Sequence, residues 1–251
     1  MTISIIIPVL NEEKSISKLL DYLLEIQNLD FTNQIIVVDG GSTDSTLDIL
    51  KNYSTIKIVT SQKGRAIQMN EGAKNATSQV LYFLHCDTFP PKKFDEYIIN
   101  QIQKGNLSGC FKMKFDSNHI VLKVSQWFTQ FNIQACSGGD QSLFVEKKLF
   151  EKLNGFDENL LIYEDNEFIN RLYKKSKFVV IQKSVTTSAR KYIKNGVWTL
   201  QFHFLMIHIQ YWFGKDQDYL TQYYKKNIIQ LDHDLDLIQQ IIYMLPLAWL
   251  Y

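Results

Sequence analysis

Four carboxylates stand at positions where side chains of this type often do chemistry. Asp39 and Asp87 each follow a short, continuously apolar segment, and Glu164 and Asp165 lie together just before an amphipathic stretch. Carboxylate oxygens bind Mg²⁺ or Mn²⁺, accept hydrogen bonds and take protons from reacting hydroxyls. The pattern therefore predicts a polar reaction centre that is carried on loops.

Each of these carboxylates also has a simpler interpretation. Asp87 could hold a divalent metal beside ligand phosphates, or it could cap a helix after Pro90 and Pro91 or begin a turn after its strand. Asp39, which is followed by glycines that include Gly41, could accept a hydrogen bond from a nucleobase, or it could belong to an Asp-Gly turn. Glu164 and Asp165 could supply a general base, or they could be first-turn acids that the helix dipole favours. The residues taken singly leave both interpretations open.

Three further side chains belong with these carboxylates. Arg65 and Arg190 could neutralise a diphosphate, although arginine is also common on protein surfaces. His85 precedes Asp87 by two residues, and we expect it to be a hydrogen-bonded neighbour of the site. A soft metal site formed by His85, Cys86 and Asp87 is the alternative.

The composition narrows the class of protein. The 251 residues carry 27 Lys and Arg against 26 Asp and Glu, a formal charge of +1, which disfavours a nucleic-acid binder that works through bulk positive charge. A hydrophobic fraction of 45% in a chain of this length is enough for a sizeable core. The sequence contains no GxG triplet, P-loop, HExxH motif or GxSxG elbow, so the commonest dinucleotide, P-loop, zinc-peptidase and serine-hydrolase sites are excluded.

The cysteines and the apolar segments bear on location. Cys86, Cys110 and Cys136 form an odd, sparse set without a CxxC pair, which is typical of reduced thiols in a cytoplasmic protein. The N-terminal segment resembles a buried strand more than a signal peptide. The stretch 196–214 lacks Lys, Arg, Asp and Glu but is interrupted by Gln and His. It is compatible with peripheral membrane contact and too polar to predict a membrane-spanning helix.

Hydrophobic periodicity predicts an α/β protein with a mostly parallel sheet flanked by helices. In the first hundred residues it predicts strands at 3–9, 35–38, 56–59 and 80–84, and helices at 12–24, 44–50 and 65–76. Later it predicts strands at 109–115, 142–145, 179–181 and 185–187, and helices at 120–131, 163–175, 197–212 and 217–226. An apolar tail follows at 238–251. Ligands of such sheets bind beyond the carboxyl ends of the strands, which puts Asn11, Glu12, Asp39 and Asp87 along one edge.

Five sequence motifs, taken in order, resemble the family 2 glycosyltransferases, which have the GT-A fold. The motifs are IIIPVLNEE at 5–13, VVDGGSTD at 37–44, HCDTFPP at 85–91, GGDQ at 138–141, and GFDEN with YEDNEF within 155–168. Two further segments, 62–73 and 187–191, are similar to a bacterial group labelled as arsenosugar-biosynthesis glycosyltransferases. The resemblance implies a nucleotide-sugar transferase core over 1–190 and a helical C-terminal extension over 191–251 that packs on the core or forms an interface.

The resemblance also implies roles for individual residues. It implies a donor site formed by Pro8, Asn11, Glu12, Asp39, Gly41, Arg65, His85 and Arg190, in which Asp39 reads the uracil edge. It implies an acceptor side formed by Gly139, Asp140 and Glu164. Asp87 matches the last acid of the DxD motif, which holds Mg²⁺ or Mn²⁺, and Asp165 matches the catalytic base. One departure is that His85 stands where the motif has its first acid.

The implied reaction is an inverting displacement in which an acceptor hydroxyl attacks the sugar of a nucleotide-diphosphate donor, with UDP as the favoured nucleotide. Two other functions stay open: a nucleotidyltransferase, and a non-catalytic nucleotide-binding module on a GT-A scaffold. The sequence names neither the sugar nor the acceptor. The apolar C-terminal helices are compatible with core packing, a homodimer or peripheral contact with a membrane.

Overall fold

The computed structural model describes residues 1–27 and 34–229 of the chain. The backbone divides into two compact units, Met1–Ser188 and a second unit that begins at Ala189. The roles expected for residues 1–190 and 191–251 stay predictions, and the predicted apolar tail at 238–251 lies outside the described residues.

The first unit is built around one mixed sheet of eight strands within the described residues. The strands are β1 Ile3–Val9, β2 Gln34–Asp39, β3 Lys57–Thr60, β4 Val80–Phe83, β5 Thr88–Phe89, β6 Ser108–Phe115, β7 Leu143–Glu146 and β8 Phe178–Thr187. Their order across the sheet is β3-β2-β1-β4-β7-β6-β8-β5. The pairs β2–β3, β1–β2, β1–β4 and β6–β8 are parallel, whereas β4–β7, β6–β7 and β5–β8 are antiparallel.

Helices cover both faces of this sheet. They are α1 Ile16–Ile26, α2 Thr46–Leu50, α3 Arg65–Asn75, α4 Phe94–Gln103, α5 Ile120–Phe128, α6 Lys147–Lys152 and α7 Glu164–Lys175. Successive side chains of β1 enter opposite cores, because a strand alternates its side chains between two faces. Ile5 and Ile7 belong to the core that contains α1 and α4, and Ile6 belongs to the core that contains α3 and α7. The predicted fold class, α/β with a largely parallel sheet, is confirmed.

Five elements differ from the predictions, namely β8, β5, α6, and two helices missing from the predicted set, α4 and Arg190–Asn195. Residues 178–187 form the single strand β8 and not two short strands, because its ladder with β6 continues through a register shift between Phe111 and Lys112. The exposed Gln182 and Lys183 of this irregular stretch interrupt the apolar pattern. The sequence also gave no sign of β5, which has two residues, or of the short helix α6.

The second unit, as far as residue 229, is helical. It contains α8 Arg190–Asn195, α9 Val197–Trp212 and α10 Gln217–Tyr224, followed by a turn of π-helix at Lys225–Ile229. Leu200 and Ile207 of α9, Leu220 of α10 and Ile228 of the π-turn are buried. No helix among the described residues is both long and apolar enough to cross a bilayer.

Helix α3 fixes the ends of the first two strands through one buried side chain. Gln68 Nε2 donates to the carbonyl oxygens of Val9 at 2.8 Å and Val38 at 2.9 Å. These carbonyls end β1 and β2, where the chain turns into the loops that carry Asn11 and Gly41. A Cβ atom on Gly40 would lie 2.9 Å from the Gln68 side chain, so glycine at this position leaves room for the Gln68 side chain.

We predict that Gln68→Leu lowers the free energy of unfolding by about 1–3 kcal/mol, because it removes two buried hydrogen bonds that are each worth about 0.5–1.5 kcal/mol. The Val9 carbonyl keeps a backbone donor, the Gly40 amide at 3.0 Å. Urea denaturation followed by circular dichroism measures the loss. Gln182→Leu is a matched control, since Gln182 Nε2 also donates to two carbonyls, those of Gln130 and Val180, but is exposed. Equal losses in the two variants would contradict the role of burial.

Candidate active site

The loops that follow β1 and β2 are joined by side chain to backbone hydrogen bonds. The amide of Asn11 donates to Ser42 Oγ at 2.9 Å, and Asn11 Oδ1 accepts from the Thr43 amide at 2.8 Å. The amide of Glu12 donates to Thr46 Oγ1 at 2.8 Å. Asn11 has a left-handed φ of 54°, which asparagine tolerates better than most residues. These bonds hold the two predicted donor-binding loops together.

Asp39 is buried at the end of β2. Its carboxylate accepts from the amides of Gly41 at 3.0 Å and Ser42 at 3.1 Å, which are the bonds of an Asp-Gly turn. Gly41 has a φ of 93°, a conformation that favours glycine. Pro8 pairs with Val38 in the neighbouring strand. The structure thus brings Pro8, Asp39 and Gly41 to one edge of the sheet. The role of Asp39 in binding a nucleobase stays a prediction.

Helix α7 begins with the predicted acid pair. Tyr163 precedes it with a left-handed φ of 69°, and three acids occupy its first turn, where the helix dipole favours negative charge. The side chains of Glu164 and Asp165 are exposed to only 3% and 10%. Arg65, the first residue of α3, places Nη1 at 3.3 Å from Glu164 Oε1 and 3.4 Å from Asp165 Oδ2. One guanidinium nitrogen therefore bridges the two buried carboxylates.

His85 lies between the carboxylates of Asp140 and Asp165. Its Nδ1 is 3.4 Å from Asp140 Oδ1, and its Nε2 is 3.9 Å from Asp165 Oδ2. His85 was predicted to neighbour the donor, and the structure puts it beside the residues predicted for the acceptor side. Within the described part of the chain, the polar contacts of the Asp165 carboxylate run through Oδ2. Its Oδ1 takes part in none of these contacts.

The electrostatics of this cluster shift two pKa values upward. Burial is the largest cause for Glu164, repulsion by Asp165 adds to it, and together they outweigh Arg65 and raise the pKa of Glu164 to about 7. For His85 the largest influence, burial, lowers the pKa. The hydrogen bond and charge of Asp140, with the charge of Asp165, outweigh that influence and leave the pKa of His85 raised. Both groups hold protons more tightly than they would in water.

The loop that carries Gly139 packs directly on Asp165. A Cβ atom on Gly139 would lie 2.0 Å from Asp165 Oδ2, whereas a Cβ atom on Gly138 would meet nothing closer than 3.9 Å. Gln141, which is buried, anchors this loop, because its Nε2 donates to the carbonyls of Phe111 and Thr129. The position of Gly139 therefore requires a residue without a side chain.

Asp87 lies in different surroundings from His85, away from the cluster of Arg65, Glu164 and Asp165. It lines a cavity of about 570 Å³ together with residues of α1, β5 and β8 and with Asp116. It does not cap α4, which begins at Phe94 and has Lys93 as its N-cap. Among residues 1–27 and 34–229, no three His, Cys, Asp or Glu side chains are grouped closely enough to hold a metal ion. Asp87 is therefore not part of such a group, although Asp116 is a second carboxylate on the wall of the same cavity.

The remaining predicted residue, Arg190, begins α8 in the second unit, and its donor role stays a prediction. None of the three cysteines forms a disulfide, and Cys86 and Cys110 are buried whereas Cys136 is partly buried. This agrees with the prediction that they form no disulfide framework.

Sequence analysis missed three positioning residues. Gln68 and Gln141 hold loops of the site, as described above. Asn70 donates to the carbonyl of Phe156 at 2.9 Å and accepts from its amide at 2.9 Å, which ties the 155–158 loop to α3. Each of them is a polar residue that lies inside or beside one of the segments quoted above. That position in the sequence could have identified them.

Comparison with known proteins agrees with this geometry. The sequence profile of Glycosyl transferase family 2 matches residues 4–178. A dolichyl N-acetyl-alpha-D-glucosaminyl phosphate 3-beta-D-2,3-diacetamido-2,3-dideoxy-beta-D-glucuronosyltransferase of Methanococcus voltae is 36% identical over 109 residues, 41% of this chain and 34% of that protein. Glycosyltransferase AglE of Haloferax volcanii is 31% identical over 183 residues, 67% of this chain and 60% of that protein. The chain thus spans from about a third to three fifths of the length of these relatives.

Solved structures share the fold. S. aureus TarS 1-349 in complex with UDP superposes with a TM-score of 0.64 at 20% identity, over 90% of this chain and 70% of that one. The fold of the chain is therefore the GT-A fold that the motifs led us to expect. Because the family profile covers residues 4–178, well over half of its length, this chain belongs to glycosyl transferase family 2.

Proposed function

We propose that this protein transfers a sugar from a UDP-sugar to an acceptor hydroxyl in one inverting displacement, assisted by a divalent metal. The observation that carries the proposal is the buried Asp165 carboxylate, which Arg65 and His85 hold through Oδ2 while Oδ1 takes part in none of these contacts. Family membership and the TarS complex with UDP support a nucleotide-sugar donor.

The donor would bind at the edge of the sheet that is formed by the loops after β1 and β2. Pro8, Asn11, Glu12, Asp39 and Gly41 lie there and would line the nucleoside pocket. The fixed backbone of these loops supports recognition of a planar base, because little ordering is needed when the donor binds. The Asp39 carboxylate would accept a hydrogen bond from the uracil N–H through lone pairs that are not used in the Asp-Gly turn.

Asp165 is the better general base of the acid pair. Its side chain is about three times as exposed as that of Glu164, so an acceptor hydroxyl can reach it. Glu164 has the raised pKa and holds a proton more readily. Asp165 would take the proton of the acceptor hydroxyl as that oxygen attacks the anomeric carbon, and a single displacement of this kind inverts the configuration.

Asp87 fits the role of a metal ligand that acts together with the donor. Mg²⁺ is commonly bound by one or two carboxylates together with phosphate oxygens and water, and Asp87 supplies one carboxylate at the wall of a large cavity. A bound metal would neutralise negative charge on the diphosphate as UDP leaves. His85 would contribute to the charge of the site and not to metal ligation, since both of its nitrogens face carboxylates.

The resemblance of segments 62–73 and 187–191 to an arsenosugar-biosynthesis group stays an expectation about the subfamily. A nucleotidyltransferase would release pyrophosphate where this proposal requires UDP. Product analysis therefore separates the two functions.

Calorimetric titration with UDP and GDP, each with Mg²⁺ and with EDTA, tests the donor site. We expect UDP to bind more tightly than GDP, and Mg²⁺ to strengthen UDP binding while binding weakly when added alone. Asp87→Ala should remove the effect of Mg²⁺, because the only proposed protein ligand is lost.

Asp116→Ala is the matched control for that titration. It removes another carboxylate from the wall of the same cavity but lies outside the motif, and it should keep the response to Mg²⁺. If folded wild-type protein bound neither nucleotide, the proposed donor site would be wrong.

Two substitutions test the base. Asp165→Asn should lower turnover by about 10²–10⁴-fold, the usual contribution of a general base, without weakening UDP binding. Gly139→Ala should also lower turnover and spare UDP, because its methyl group would displace the Asp165 carboxylate. Steady-state release of UDP in the presence of acceptor gives the rates, and calorimetry gives the affinities.

Gly138→Ala provides the control for Gly139→Ala. Its φ of −154° suits alanine, and its methyl group would contact nothing closely, so turnover should stay near that of the wild type. Unchanged turnover in Asp165→Asn would remove Asp165 from the role of base.

The raised pKa of Glu164 predicts a pH-dependent stability. The folded protein keeps a proton that the unfolded chain releases near its ordinary pKa, so the free energy of unfolding should fall as pH rises from about 5 to about 8. Glu164→Gln removes this proton, so it should flatten that fall by about 1–3 kcal/mol. Urea denaturation at several pH values measures both curves. Deprotonation of His85 also lowers the free energy of unfolding as pH rises, and it does so in both proteins. Only the difference between the two curves therefore reports on Glu164. Parallel curves would contradict the raised pKa of Glu164.

A further inference from the structure

Arg65 makes long contacts with the acid pair. Its Nη1 lies 3.3 Å from Glu164 and 3.4 Å from Asp165, whereas charge-assisted hydrogen bonds are usually about 2.7–2.9 Å long. Arg171 shows the difference, since its Nε and Nη2 reach the carboxylate of Glu167 at 2.7 Å and 2.6 Å. The Arg65 side chain is also 50% exposed, although both of its partners are buried. Another anion could therefore compete with the acid pair for this guanidinium.

Arg65 lies one helical turn from the edge of the sheet where the donor is proposed to bind. It begins α3, and Gln68 on the next turn donates to the carbonyls of Val9 and Val38. These carbonyls end β1 and β2, whose loops form that edge. Residues three apart on a helix are neighbours, with about 5–6 Å between their Cβ atoms. A diphosphate bound at this edge would thus have Arg65 as a nearby, half-exposed cation.

Glu164 is the group that would respond if the guanidinium moved. The charged groups that act on it are Asp165 of its own helix, Arg65 of α3 and His85 after β4, and His85 also contacts Asp140. Burial and then Asp165 raise the pKa of Glu164 to about 7, and Arg65 is the strongest of the influences that lower it. Without Arg65 beside it, the Glu164 carboxyl group would keep a proton at higher pH.

We propose that the diphosphate of the donor draws Arg65 away from Glu164 and Asp165, and that Glu164 takes up a proton from solvent in exchange. A neutral Glu164 would then lie beside the Asp165 carboxylate without repelling it. The move would also take the guanidinium from Asp165 Oδ2 and open this carboxylate to an acceptor hydroxyl. The donor would therefore bind before the acceptor. This inference rests on the proposed donor site and base, and it adds an order of binding and a positioning role for Glu164.

Calorimetric titration of the whole protein with UDP in the presence of Mg²⁺, repeated in buffers of different ionisation enthalpy, counts the protons taken up. UDP itself exchanges almost none at pH 8, because the second pKa of a phosphate group is about 6. We expect the wild type to take up about 0.4 proton or more per UDP at pH 8. By linkage, UDP should bind about threefold or more tightly at pH 7 than at pH 8.

Two variants identify the groups involved. Glu164→Gln removes the group that takes up the proton, so the uptake should fall close to zero and the affinity for UDP should no longer differ between pH 7 and pH 8. Arg65→Gln should also take up far fewer protons, because the guanidinium is missing before UDP arrives, and it should bind UDP more weakly. Glu167→Gln is the matched control. Glu167 lies in the same first turn of α7 but pairs with Arg171, so this variant should take up as many protons as the wild type.

The possible outcomes separate this inference from the proposed function. UDP binding without proton uptake would overturn the inference and leave the donor site standing. Uptake that persisted in Glu164→Gln would belong to another group, such as His85, and uptake that persisted in Arg65→Gln would need no movement of the guanidinium. Either result would overturn the inference. If folded wild-type protein bound no UDP, the donor site and the inference would both be wrong. Should Arg65→Gln fail to fold, the comparison of wild type with Glu164→Gln still decides.

Discussion

Two adjacent carboxylates, Glu164 and Asp165, are buried at the first turn of α7, and their mutual repulsion has to be offset for the site to exist. Neither burial nor like charge favours ionised acids. The helix dipole helps, but the specific compensation is Arg65, whose Nη1 contacts both side chains. Arg65 is a hundred residues away in the sequence, so the geometry of the reaction centre depends on how α3 is placed against α7.

Helix α3 meets this requirement because its polar side chains each fix a different part of the site. Gln68 holds the ends of β1 and β2, and Asn70 holds the 155–158 loop that leads towards α7. Gly72 allows close approach to the sheet, since a Cβ atom there would lie 2.4 Å from Ile6. The loops after β1 and β2 and the acid pair are thus positioned by the same helix, α3. Their separation is set by backbone and buried amides, which suits a reaction that needs exact alignment of donor and acceptor.

The order of strands and helices could be predicted because continuously apolar strands and amphipathic helices have distinct periods, and β1 and α9 match their predicted bounds. The full length of strand β8 could not be predicted, because its irregular pairing at Gln182 breaks the two-residue period. The acids of the site were found from motifs. The contacts that tune them, such as Arg65 with Glu164 and Asp165, join residues far apart in sequence, and no local pattern encodes such a contact.

His85 decides how charge is balanced when a donor arrives. In place of a second acid, a histidine faces Asp140 and Asp165 and offsets their negative charge, which leaves Asp87 as the motif carboxylate proposed to bind a metal. With Glu164 protonated, as its raised pKa favours, the carboxylates of Asp140 and Asp165 face Arg65 and a histidine whose pKa is also raised. The cluster therefore has no spare positive charge for a diphosphate, and a divalent cation that came with the nucleotide would supply it. Metal and donor are therefore expected to bind as a unit, in accord with a histidine at this position.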